Sequence, residues 1–183
     1  MLKKLITALV AVSAPAFAQD LEGNDTASNW KVTHFERFGI FLSSCDERME
    51  GDVLNQRCYV RYVDVFSPQP EFGAQFFFIV NGEDGPEVDF GMEPGTLFGP
   101  NGFRIEDMGG DLWRTRRPGC LTGLSCTFEG EDATALLQSM EDGDAFRFTF
   151  RDRHGNAQDL TWPLAGFSDA MADFAAQSEL RGL

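Results

Sequence analysis

The sequence predicts an all-β domain with one or two short peripheral α-helices, on three observations. Between Trp30 and Trp162 the chain runs as short aromatic and β-branched stretches separated by Gly, Pro, Asn and Asp, the punctuation of a sheet-rich fold. In Phe146-Arg147-Phe148-Thr149-Phe150-Arg151 three phenylalanines alternate with polar residues, and a period of two puts their rings on one face of a strand. Helical spacing is confined to two segments, around Leu136 and around Phe174.

Taken in order, Phe38 to Cys45 and Arg57 to Phe66 are the first strand candidates, with the polar stretch Asp46 to Arg57 as the loop of a hairpin. Ala74 to Val80 is apolar at consecutive positions, the pattern of a strand covered on both sides. Phe103 to Glu106, Leu112 to Thr115 and Ser125 to Phe128 follow as shorter strands. Ala133, Leu136, Leu137 and Met140 then recur at helical spacing, after Glu131 and Asp132 and before Gly143, which is a short amphipathic helix. Phe146 to Arg151 pairs with Asp159 to Trp162 through the turn-rich Arg153-His154-Gly155-Asn156, as a β-hairpin does. Phe167, Met171, Phe174 and Ala175 predict a second helix, with Ser168 placed to cap it and Asp169 in its first turn.

The N-terminus has the layout of a secretory signal over residues 1–18. Lys3 and Lys4 precede the apolar run Leu5 to Val12, and the segment closes on Ala16-Phe17-Ala18, an A-x-A cleavage site. The run is too short to span a bilayer, and no later window offers the roughly 18 apolar residues a transmembrane segment needs. A mature chain from Gln19 would thus be exported through the inner membrane to the periplasm or outer envelope, without a lipid anchor, since no cysteine stands at the cleavage point. Residues 19–29, acidic and nearly devoid of large apolar side chains, have the composition of a disordered tail. One domain over 30–178 follows. The chain's formal net charge is −14, and the signal holds two lysines and no acid, so the mature protein is more acidic still, with Lys31 as its only lysine. Such a surface excludes nucleic acid as a partner and repels anionic headgroups.

In an oxidising compartment four cysteines read as disulfides, with three pairings open. Cys45 and Cys58 flank one polar stretch and Cys120 and Cys126 a small glycine-containing loop, which favours two local bridges. A metal site is disfavoured: there is no C-x-x-C, and His34 and His154 are far from the cysteines in sequence.

No catalytic motif is present. His34 and His154 are the only histidines able to serve a nucleophile, and each reads as a surface or packing residue. Gly123-Leu124-Ser125-Cys126 and Gly166-Phe167-Ser168-Asp169 lack the closing glycine of a nucleophile elbow. No H-E-x-x-H, P-loop or G-x-G-x-x-G occurs, so no cofactor is expected. Carboxylates are so abundant that an acid and base pair can always be assembled from them, which makes their number poor evidence. Glu83-Asp84-Gly85-Pro86-Glu87-Val88-Asp89 has oxygen ligands for calcium but misses the EF-hand spacing, and its glycine and proline suit a solvated turn. Arg114, Arg116 and Arg117 form the densest basic island. Guanidinium groups clasp carboxylates or phosphates, so the island is a candidate for partner or anion binding, against the plainer reading that it pairs with neighbouring acids.

Several landmarks occur in a telling order: Phe38-Gly39-Ile40-Phe41 with Cys45, then Arg57-Cys58-Tyr59, Pro118-Gly119-Cys120, a helix ending at Gly143, and Trp162-Pro163-Leu164-Ala165-Gly166-Phe167-Ser168-Asp169-Ala170. This order resembles the invasion-associated locus B family of exported bacterial proteins over about Trp30 to Phe174. Two departures stand out. Phe41 occupies a position where the family often has tryptophan, and Gly119-Cys120 begins the second cysteine pair where the family's Gly-Cys ends it. The resemblance implies an immunoglobulin-like β-sandwich of the cell envelope, associated with host invasion or colonisation, and no catalytic residue. The expected function is therefore that of a non-catalytic envelope protein acting through contacts with another envelope or host protein. A periplasmic hydrolase using carboxylates and an anionic-ligand binder at the arginine island are the alternatives.

Overall fold

A computed structural model describes residues 29–83 and 85–183. The predicted signal and nearly all of the predicted tail lie outside the described residues. The ten strands are β1 Lys31–Phe38, β2 Phe41–Glu50, β3 Val53–Ser67, β4 Gly73–Gly82, β5 Gly85–Met92, β6 Leu97–Asp107, β7 Gly110–Arg114, β8 Cys126–Phe128, β9 Ala145–Arg151 and β10 Ala157–Pro163. The helices are α1 Pro118–Thr122, α2 Gly130–Asp142 and α3 Phe167–Arg181.

The strands form two antiparallel sheets, a large one in the order β1-β2-β3-β4-β5-β8 and a small one in the order β10-β9-β6-β7. This is the mainly β sandwich that the alternating pattern predicts. Side-chain alternation builds its core. Phe77, Ile79, Val88 and Phe90 project from the large sheet, and Phe103, Ile105, Phe146, Phe148 and Trp162 from the small one, all buried. Rings meet across the gap at 5.0 Å for Phe90 and Phe103, 5.7 Å for Phe90 and Phe146 and 6.0 Å for Phe77 and Trp162. The two Phe90 pairs meet edge-on and the Phe77–Trp162 pair is tilted, and such pairs add to the stabilisation from burial. The Trp162 indole donates a hydrogen bond of 2.8 Å to Asp64, so its one polar group is satisfied.

The helices close the ends. α3 packs on β1, β2 and β3, with Phe167 against Phe41 at 5.3 Å between rings. α2 buries Ala133, Leu136, Leu137 and Met140, as the sequence predicts, and lies beside β5 to β8. Both favoured disulfides are present, Cys45 with Cys58 and Cys120 with Cys126. The first joins directly opposed residues of β2 and β3; the second ties α1 to β8.

Several sequence expectations are corrected. Asp46 to Arg57 is not a loop: β2 and β3 continue through it and only Gly51 and Asp52 turn, because Asp46 and Arg57 face each other across the strands and neutralise one another. Phe38 to Cys45 is not one strand either. Phe38 ends β1, an edge strand whose weak apolar pattern hid it, and Gly39 turns the chain at φ 60°. Gly85 onward is strand, not solvated turn, since Val88 and Phe90 face the core. Residues 118–122 are helical, held by the Leu121 amide bonding to the Arg117 carbonyl at 3.0 Å. α3 starts after Gly166, with Ser168 inside it rather than capping it, and buries Ala170 and Ser178 where Ala175 was expected. β4 is covered on one side only: Gln75, Phe77 and Ile79 are buried, while Phe76, Phe78 and Val80 lie half-buried on the other face.

Candidate interaction surface

The second face of the large sheet follows from the strand registers. Positions alternate with the core residues, so cross-strand pairing sets them out in rows. One row runs Arg37, Leu42, Arg61, Phe78, Asp89, Thr127 over β1, β2, β3, β4, β5 and β8. Beside it runs Phe35, Ser44, Tyr59, Val80, Glu87, and on the other flank lie Val63, Phe76 and Gly91.

Much of this face is apolar and open to solvent. Phe35 is 56% exposed, Val63 47% and Val65 53%. Its ring contacts stay within the face, Tyr59 with Phe78 at 6.0 Å and Phe76 with Phe78 at 5.4 Å. Gly91 explains how Phe76 lies down: a Cβ there would come within 1.9 Å of the Phe76 ring, so the cross-strand glycine leaves the space the ring fills.

Arginines thread the aromatic groups. Arg57 donates two bonds to Asp46, Nε to Oδ1 at 2.6 Å and Nη2 to Oδ2 at 3.1 Å. That bond to Asp46 raises the Arg57 pKa above its ordinary value, against the opposing effect of burial. The Trp30 ring lies against Arg57 at 4.0 Å and Arg48 at 4.5 Å, within cation–π range. Arg61 lies 5.9 Å from the Tyr59 ring. Arg37, Ile40, Leu42, Arg61, Tyr62 and Val63 line a shallow hollow of about 210 Å³.

The predicted arginine island does not converge. Arg114 pairs with Asp111 at 2.8 Å and bonds to Asn101 at 2.9 Å on the outside of the small sheet. Arg117 lies 4.4 Å from the Phe128 ring, bonds to the Thr127 carbonyl at 2.7 Å and pairs with Asp132. Arg116 is exposed. His34 meets Asp173 of α3 at 2.7 Å, and His154 lies in the β9–β10 turn. Glu83, Glu87 and Glu129 line a hollow of about 240 Å³, and no three metal-ligating side chains cluster among the described residues.

Asp152 is the one carboxylate with a resolved shift among the described residues. Burial pushes its pKa up, but hydrogen bonds from the Gln158 side chain and the Asn156 and His154 amides outweigh it, and the net direction is down. Those bonds shape the turn between β9 and β10, a structural task. No single stretch of sequence announces the open face, because its rows form only when β1, β2, β3 and β4 pair. Its signal was nonetheless present: Arg57, Tyr59, Arg61, Val63 and Val65 fall at a period of two, opposite in phase to Cys58, Val60 and Tyr62.

No family model matches the chain, and no curated protein matches it. Among solved structures, the crystal structure of invasion associated protein B from Bartonella henselae is similar over 80% of this chain and 98% of that one, at 16% identity and a TM-score of 0.48.

Proposed function

We propose that this chain is an exported, non-catalytic envelope protein of the invasion-associated locus B type that acts by binding another protein through the open face of its large sheet. The observation that carries the reading is that face itself, where Phe35, Val63 and Val65 stand exposed beside half-buried Phe76, Phe78 and Tyr59. An apolar patch of this kind on a strongly charged protein marks an interaction site. Export and a periplasmic or outer-envelope location are supported by the signal-like residues 1–18 and by the two disulfides. A role in host colonisation belongs to the same proposal and rests on the resemblance in sequence landmarks.

The landmarks have a physical basis. Gly39 and Gly166, at φ 60° and 89°, interlock: a Cβ on Gly39 would come within 2.5 Å of the Ala165 carbonyl oxygen, and one on Gly166 within 2.9 Å of Phe38 backbone. The two most distant parts of the motif order thus form one joint, where Phe41 meets Phe167.

The test is site-specific photo-crosslinking in native envelopes, with the reactive residue at Val63 on the open face or at Thr149, exposed on the outside of the small sheet. The expected result is a discrete protein adduct from position 63 and none from 149. Identical adducts from both, or adducts from 149 alone, would refute the assignment of the face.

A further inference from the structure

Most arginines of the described chain are neutralised by acids: Arg48, Arg57, Arg104, Arg114, Arg117, Arg147 and Arg153 all hold carboxylate partners. Arg37 and Arg61, like Arg116, Arg151 and Arg181, have no carboxylate partner among the described residues, although acids outnumber bases 29 to 15 in the sequence, and they alone of these five share a row on the open face. The row they share keeps acids away. Leu42 separates them, and the nearest acid in that row is Asp89, beyond Phe78 and occupied by the Thr127 hydroxyl at 2.9 Å.

We infer that the Arg37-Leu42-Arg61 row docks a short acidic segment of a partner polypeptide, whose carboxylates take the two guanidiniums and whose apolar side chains lie on Ile40 and Val63. The inference rests on the open-face reading and names the partner's chemistry. Strand spacing puts the two arginine backbones about 10 Å apart with Leu42 between, and Leu42 is only 7% exposed, a firm apolar floor flanked by two cations. The Tyr59 ring lies 5.9 Å from the Arg61 guanidinium, at the outer limit of cation–π range. The hollow of about 210 Å³ is smaller than the roughly 300 to 1,000 Å³ that encloses a small molecule, whereas the apolar rows running on to Val65 and Phe35 suit an extended chain. A formal charge of −14 repels nucleic acid and anionic membrane as bodies, but a segment with a few carboxylates meets only the local positive row.

The test uses the oxidised chain from Gln19, labelled with ¹⁵N, and two capped peptides that both contain phenylalanine, one with glutamates and the other with lysines in their place. The glutamate peptide should shift the amides of Ile40, Leu42 and Val63, and its Kd should rise at least tenfold in Arg37→Gln/Arg61→Gln. Arg116→Gln should leave it unchanged, and Arg37→Lys/Arg61→Lys should restore part of the affinity. Equal binding of the lysine peptide, wild-type affinity in the glutamine variant, or shifts confined to the Arg114 to Arg117 region would overturn the inference. So would tighter binding of decanoate at the same amides, which assigns the row to fatty acids, or arginine-dependent self-association in sedimentation, which assigns it to a second copy. If the glutamate peptide fails while crosslinks still form at position 63, the partner's chemistry falls and the open-face reading stands.

Discussion

The two faces of the large sheet are made from the same strands and nearly the same residue types, yet they do different work. On β4, Phe77 and Ile79 are fully buried against the small sheet, while Phe76 and Phe78, one position away, touch each other and solvent. On β3, Cys58 and Val60 are buried, Arg61 is half-buried, and Val63 and Val65 are open. Folding accounts for the inner face, because each ring there removes apolar area from water against a partner sheet. It does not account for the outer one. An aromatic surface that the described fold leaves uncovered, with arginines the chain's own acids leave unpaired, is where the structure has capacity left for a partner.

The sharpest break of this comparison is Phe77→Ala, which empties a site at the centre of the ring cluster and is expected to cost about 3 to 5 kcal/mol. Chemical denaturation reads it directly, and a cost below 1 kcal/mol would show that the inner face is not the stabilising one. Next in size are the disulfides, both outside the open face. Replacing Cys45 and Cys58 by alanine should cost about 3 kcal/mol, and replacing Cys120 and Cys126 about 2 kcal/mol, since closing 13 residues restricts the unfolded chain more than closing 6. Equal denaturation midpoints would contradict that ranking.

A smaller effect sharpens the contrast between polar groups used by the fold and those left free. Asp152 has a lowered folded pKa, so its stabilising contribution is present above its unfolded value of 3.8 and disappears as pH falls through the folded one. The stability gap between wild type and Asp152→Asn should therefore be full at neutral pH and close below about pH 4. A gap that persists unchanged at lower pH would show that charge is not what the turn uses.

Much of this was legible in the sequence, and the failures have physical causes. The β9 alternation, the α2 spacing and the two local disulfides were visible because each is fixed by neighbours close along the chain. β1 was missed because an edge strand needs no apolar run, and α1 because five residues leave no period to detect. The Asp46 to Arg57 stretch reads as loop because its polar residues find key partners far along the chain, Asp46 with Arg57 across the hairpin and both Arg48 and Arg57 against the Trp30 ring. The arginine island at Arg114, Arg116 and Arg117 is conspicuous because its members are close in sequence, yet Arg114 ends β7 and pairs with Asp111, while Arg117, just before α1, turns to Asp132 and the Phe128 ring. Arg37 and Arg61 form no visible cluster in the sequence, being 24 residues apart; the sheet places them in one row.

The most direct measurement takes the double variant Phe35→Thr/Val63→Thr, which makes the open face polar while keeping residues that suit a strand, and reads its denaturation midpoint beside its photo-crosslinking yield from a neighbouring position, Val65. The account predicts stability within about 1 kcal/mol of wild type and loss of the adduct. A destabilised protein that still forms the adduct in full would contradict it.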